Sequence, residues 1–435
     1  MVILKDFKRL FLGKLFQGIS ISLLGSIILL ILGLSRTVIL VKSIEIDEFG
    51  LIVLLQNFFV ILSLFLGVRL SETFFKFLPI FEKSDNAEAF KSIMQISCIL
   101  CFISGISILC VSSFLAETIG KYFYKDLRII DLIKVFALGA CILPFNELIN
   151  AALRYREKFT SLISIQLLGR ALSVFLIFLY LHLSNEPKLY IIILGFVLEI
   201  YCVILIGLFI TFLTYIDIFR SFRMNFSALS GYYKRLKSTF LNSYTSGALK
   251  LGSEEGGLFL LGLLGTTADA ALWGIAKQVI LPIRVLLQNI QKVISPEICK
   301  MFEFQKINKL KNFIKNYCIA TTLAGVIFFF LCLLFADQFI LKFFSAEFIA
   351  AKKIIIILLL AETLVLISVP FFSLSISMER LFERNLVTSL RFLYLLSALF
   401  ISIDAIVLAY IYLLGVITSR LLNDLPLFAK LHQLK

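Results

Sequence analysis

Residues 159–214 read FTSLISIQLLGRALSVFLIFLYLHLSNEPKLYIIILGFVLEIYCVILIGLFITFLT. Two long apolar runs flank the polar turn Ser184-Asn185-Glu186-Pro187-Lys188. Each run exceeds the roughly 20 residues that an α-helix needs to cross a hydrocarbon core about 30 Å thick. Lipid satisfies no backbone polar group, so a spanning segment must be a helix or part of a closed barrel. Barrel strands are alternating segments of about ten residues, and neither run alternates. Both therefore read as spanning helices, with Arg170 and Glu199 as the basic and acidic groups inside them.

The same pattern recurs along all 435 residues, 60% of which are hydrophobic, with 45 Phe and a mean hydropathy of +1.00. Spans are read at 15–41, 49–72, 93–115, 131–153, 159–183, 189–214, 238–264, 270–292, 314–335, 353–376, 386–402 and 404–422. The expected fold is an all-α polytopic membrane protein of about 12 transmembrane helices. The basic start MVILKDFKRLFLGK runs into apolar sequence up to about Val41 with no small-residue cleavage site. It reads as the first span rather than a cleaved leader. The net charge of +14 would suggest nucleic acid on a soluble chain, but here the charges sit in the short loops between spans, so no nucleic-acid partner is expected. With the N-terminus inside, 28 Lys and Arg fall in cytoplasmic segments and 10 outside. That bias predicts cytoplasmic N- and C-termini. The C-x-x-C of Cys98 and Cys101 lies within an apolar helix, and His182 and His432 are far apart, so no metal or redox centre is expected.

The long polar segment 215–237 divides the chain into an N-terminal six-helix lobe (1–214) and a C-terminal one (238–435). Six is even, so both lobes would insert with the same orientation. A faint echo supports duplication: Pro79 with Phe81-Glu82 follows the second span, and Pro296 with Phe302-Glu303 follows the eighth.

Charges at mid-bilayer are costly and usually face a cavity or a partner. The seventh span carries Lys250, Glu254 and Glu255, with Gly252 and Gly256 spaced for close helix contact. Lys250 and Glu254 are four apart and can pair, so the stretch is either a packing seam or a cavity lining. In the eighth span Trp273, Lys277, Arg284 and Gln288 share a helical face, beside the kink expected at Pro282. These cations either bind an anion or pair with Glu254 and Glu255. In the first half, Arg36 and Arg69 lie near span ends, where snorkelling is the competing reading. Arg170 and Glu199 read as a structural pair. Glu147, Asn150 and Glu362 receive no role.

Three stretches resemble the polysaccharide flippases of the multidrug/oligosaccharidyl-lipid/polysaccharide exporter superfamily, the O-antigen and capsule repeat-unit translocases. They are GLSRTVILVKSIEIDEFGLIVLLQNFFVILSLFLGVRLSETFFKFLP, with Arg36, Phe49-Gly50 and Gly67, then LRYREKFTSLISIQLLGRALS, and LFLLGLLGTTADAALWGIAKQVILPIRVLLQNIQKVISPEI. Where that family often has a single Asp early in the seventh span, this chain has Glu254-Glu255-Gly256-Gly257. The resemblance implies two lobes around a central cavity in a bacterial cytoplasmic membrane. It implies alternating access that moves an undecaprenyl-pyrophosphate-linked oligosaccharide for surface polysaccharide (lipopolysaccharide) biosynthesis. Membrane lipids and the downstream polysaccharide polymerase machinery are the implied partners.

On that reading Lys250, Lys277 and Arg284 are the candidates to hold pyrophosphate, Trp273, Gln288, Asn242 and Tyr244 serve the sugars, and Arg36 and Arg69 join them in lining the substrate cavity. Glu254 and Glu255 couple transport to an ion, since adjacent carboxylates near mid-bilayer resist both being ionised. No Walker motif is present, so no nucleotide cofactor is expected. The rivals are a multidrug/cation antiporter of the same superfamily and a membrane-embedded polymerase. The second would need a long catalytic outer loop, whereas the longest expected outer loops, 116–130 and 336–352, are short.

Overall fold

A computed structural model describes the backbone of residues 14–83, 86–156, 158–184, 188–216, 229, 231–378, 380–397 and 404–433, and most of the side chains within them. The described elements are helices: α1 (Lys14–Ser43), α2 (Ile46–Leu66), α3 (Ser71–Lys83), α4 (Ala87–Thr118), α5 (Arg128–Ala140), α6 (Pro144–Tyr155), α7 (Phe159–Leu183) and α8 (Leu189–Thr214). After the polar segment come α9 (Tyr233–Leu264), α10 (Thr267–Glu303), α11 (Ile307–Phe343), α12 (Ala351–Ile367), α13 (Val369–Ser377), α14 (Leu381–Ser397) and α15 (Ala405–Gln433).

Among the described residues, eight helical stretches are long and apolar enough to span a bilayer. A ninth forms if Ala346–Ile367 and Val369–Ser375, bent by 43°, are one span. The helices α9, α10 and α14 occupy three further expected spans but fall outside that count. α11 shows what surrounds the molecule. Only 11% of its most apolar window is buried, and Ile319, Leu323, Ile327, Phe330 and Leu334 are exposed along it. Soluble proteins rarely leave so large an apolar surface uncovered, whereas lipid is its natural solvent. The chain is a multi-pass α-helical membrane protein.

Local chemistry sets the helix ends. The Asn86 side chain accepts from the Ala89 N–H at 2.9 Å and caps α4. Pro144 occupies the first turn of α6, where its missing N–H costs nothing. At α10, Thr266 and Asp269 cap each other's backbone N–H groups.

The expected second span, 49–72, is not one helix. α2 stops at Leu66 and α3 starts at Ser71, with Gly67–Leu70 unwound. The carbonyls released there find new donors: Tyr244 Oη donates to the Phe65 carbonyl at 2.8 Å, and Ser104 Oγ donates to that of Leu66. Gly67 permits the turn, because a Cβ there would lie 2.1 Å from the Ser63 carbonyl oxygen.

The chain forms two compact units. One comprises residues 1–36 with 62–248, the other 37–61 with 249–435. The second unit thus takes most of α2 from the first half of the sequence, a different partition from a cut at 215–237. The first unit has a core of Phe74, Phe77, Phe81, Phe90, Met94 and neighbours on α3, α4 and α6. The second has one of Ile298, Leu310, Ile314, Leu374 and Leu431.

Candidate functional site: charged groups within the spans

In the first unit, α1, α7 and α8 bring together the three charges Arg36, Arg170 and Glu199. Arg36 Nη1 donates to Glu199 Oε2 at 2.5 Å and to Ser173 Oγ at 3.4 Å. Its guanidinium also lies 4.2 Å from the centre of the Phe196 ring, a cation–π distance. Arg170 Nε reaches Glu199 Oε1 at 2.7 Å. The Arg36 and Glu199 side chains are only 12% and 13% exposed. The expected Arg170–Glu199 pair forms, and Arg36 joins it. Two guanidiniums share one carboxylate, so the three groups together keep one positive charge.

In the second unit, Lys277 Nζ of α10 donates to Glu255 Oε2 of α9 at 2.7 Å. Asn57 of α2 ties both ends of Glu255, donating to its main-chain carbonyl at 3.1 Å and to its carboxylate at 3.2 Å. Gly50 makes this approach of α2 possible: a Cβ there would sit 2.0 Å from the Thr267 carbonyl oxygen. Trp273, one turn before Lys277, is 2% exposed and its indole N–H is buried without a partner. It is therefore part of the packing between α2 and α10, and Gly274 beside it abuts Val53.

Arg284 meets a different acid. Its Nη2 lies 2.6 Å and its Nε 2.8 Å from Glu362 Oε1 on α12, and that carboxylate side chain is 5% exposed. A sequence reading that sought the partner of Arg284 in the seventh span missed Glu362. The signal was present, since Glu362 is an acid inside the apolar run IIIILLLAETLVLI and such a charge needs a partner. What spacing could not supply was which helix carries it. Arg391 of α14 was also missed. It is 9% exposed, and its Nε donates to Ser419 Oγ of α15 at 2.6 Å. That hydroxyl is its hydrogen-bond partner among the described residues, and a guanidinium offers five N–H groups.

Arg69 lies in the unwound Gly67–Leu70 segment and has no ion-pair partner among the described residues. The side chains of Lys250, Glu254, Gln288 and Asn242 lie outside the described residues. Among the described residues, no group of three His, Cys, Asp or Glu could hold a metal ion.

Neither models of known protein families nor curated protein sequences match this chain. Solved structures do. An inward-facing multidrug resistance MATE family transporter of the MOP superfamily aligns with a TM-score of 0.71 at 16% identity, covering 92% of this chain and 95% of that one. The lipid II flippase MurJ, in an inward closed conformation, aligns at 0.67 and 13% identity, covering 92% and 85%. A MOP superfamily transporter from Pyrococcus furiosus aligns at 0.60 and 14%, covering 97% and 96%. The chain has the fold of MOP superfamily transporters. That is a fold of membrane transporters and flippases.

Proposed function

We propose that this protein is a flippase that carries an undecaprenyl-pyrophosphate-linked oligosaccharide across a bacterial cytoplasmic membrane by alternating access. The observation that carries this reading is the surplus of buried positive charge. Among the described residues, Arg36 and Arg170 share the single carboxylate of Glu199, and the Arg391 guanidinium meets the Ser419 hydroxyl. An unneutralised cation in a low-dielectric region is costly. An anionic cargo with two phosphates would offset that cost, and guanidinium forks suit phosphate oxygens. MurJ, whose fold this chain shares, is a flippase of lipid II.

A second reading, a multidrug or cation antiporter, draws on the second unit. There Lys277 with Glu255 and Arg284 with Glu362 are each charge-balanced, so nothing in those pairs repels a cation. The MATE transporters share the fold equally.

Deletion of the chain in its own host separates the two. The flippase reading expects loss of a surface glycan with the lipid-linked oligosaccharide retained on the cytoplasmic leaflet. Unchanged glycan together with raised sensitivity to cationic drugs would overturn it in favour of the antiporter.

A further inference from the structure

The first unit contains a partly open cavity of about 680 Å³ that the charged groups described above do not line. Its wall is almost wholly apolar, with Ile96 and Leu100 of α4 and Leu236 and Phe240 of α9 among its residues. Thr73 of α3 and Lys237 of α9 also line it. The volume falls within the roughly 300–1,000 Å³ of sites that bury a ligand.

Two polar features keep it from being a mere packing defect. Thr73 is 6% exposed, and its buried hydroxyl has no hydrogen-bond partner, although a buried hydroxyl normally has one. Lys237 is exposed, as are Lys234 and Arg235 on the same helix, and no carboxylate pairs with any of the three among the described residues. A hydrocarbon alone would leave the lysine and the threonine unused. A soluble anion would leave the apolar wall unused. An amphiphile with a hydrocarbon chain, an ester carbonyl and a phosphate uses all of them.

We propose that this cavity holds one acyl chain of an anionic glycerophospholipid, with the phosphate at Lys237 and an ester carbonyl accepting from the Thr73 hydroxyl. The positive-inside bias places the start of α9 at the cytoplasmic leaflet, where basic pockets between spanning helices take anionic head groups. The site is independent of the cargo proposed above. A polyisoprenyl phosphate could fill the same wall and meet Lys237, but it has no ester for Thr73.

The test uses the purified full chain in detergent, titrated with phosphatidylglycerol, phosphatidylcholine or a polyisoprenyl phosphate and read by native mass spectrometry. Phosphatidylglycerol should be retained about tenfold more tightly than phosphatidylcholine, the scale of one charge-assisted contact. Lys237→Gln should erase that preference. Thr73→Val should weaken both phospholipids several-fold while leaving polyisoprenyl phosphate unchanged, and Ile96→Trp should fill the cavity and block all three. Phosphatidylglycerol carrying a photoreactive acyl chain should label 93–100 or 233–240 in the unmodified chain, which needs no variant to fold. Equal retention of the two phospholipids, labelling confined to other segments, or polyisoprenyl phosphate binding more tightly than phosphatidylglycerol would each overturn the proposal.

Discussion

The Arg36–Arg170–Glu199 cluster of the first unit and the Arg284–Glu362 pair of the second are built on opposite balances. In the first, two arginines close on one glutamate, so removing either arginine leaves a neutral pair behind. In the second, Arg284 and Glu362 match one for one, so removing the arginine leaves the buried Glu362 carboxylate without its cation. Both groups sit among apolar helices, and both look like ion pairs in a list of distances. Their response to mutation should differ, because the cost of a buried charge is set by what is left unpaired. A surplus cation is poorly explained by stability alone, and it is where an anionic cargo has something to gain.

The largest expected effect is on the balanced pair. Arg284→Ala should cost about 3–5 kcal/mol by stranding the Glu362 carboxylate, seen as a sharp fall in membrane abundance. Arg284→Ala combined with Glu362→Gln should recover most of it, whereas combination with Glu255→Gln should not, since Glu255 belongs to Lys277. Normal abundance of the single variant with transport abolished would instead make Arg284 a cargo ligand and erase the contrast.

Next comes the surplus cluster. Arg36→Ala leaves Arg170 and Glu199 paired, so abundance should stay near wild type while transport falls at least about tenfold, the worth of one charge-assisted contact to a phosphate. Arg36→Lys should retain part of the activity, keeping the charge but losing the fork. If Arg36→Ala lowers abundance as far as Arg284→Ala does, the cluster is structural and the anion reading fails.

A smaller effect is expected at Glu255. Glu255→Gln keeps the bond from Asn57 to the main-chain carbonyl and removes the charge facing Lys277. Lys277 is left unpaired, but the side chains of this pair are 17% and 22% exposed against 5% for Glu362, so abundance should fall less than for Arg284→Ala. If this carboxylate takes up the coupling proton, the variant should transport with a flattened pH profile. An unchanged profile would leave the second unit's pairs as packing elements.

How much of this was legible from sequence differs between the same regions. Apolar run lengths placed the helices well, because a bilayer imposes one length on every span. The break at Gly67–Leu70 was not visible. It depends on Tyr244 and Ser104, far along the chain, accepting the job of main-chain donors. Arg170 with Glu199 was readable from two lone charges in adjacent spans. Arg36 as their third member was not, since its position near a span end suited snorkelling equally well. The Arg284–Glu362 pair was half visible: each residue announces a need for a partner, and neither says which helix provides it. The residue Gly50 shows the limit most plainly. Its reason for being glycine is the carbonyl of Thr267, about half the chain away.

The smallest effect is expected outside the spans and calibrates the rest. Asp126, between α4 and α5, accepts from the Arg128 side chain at 2.8 Å and from its backbone N–H at 2.9 Å. The hydrogen bond from the Arg128 guanidinium lowers the Asp126 carboxyl below its ordinary value, against a partial desolvation that opposes it. A carboxyl whose folded pKa lies below its unfolded one, near 3.9, contributes stability above that value and loses it as the pH falls through the folded pKa. The Arg128 side chain is 55% exposed, so solvent screens the pair. Asp126→Asn should therefore cost less than about 1 kcal/mol at neutral pH. The difference from wild type should close as the pH is taken below about 4, in thermal unfolding of the detergent-solubilised protein. If instead Asp126→Asn destabilises as much as Arg284→Ala, then pairing in itself, and not burial of an uncompensated charge, governs these groups. The distinction drawn between the two units would lose its physical basis.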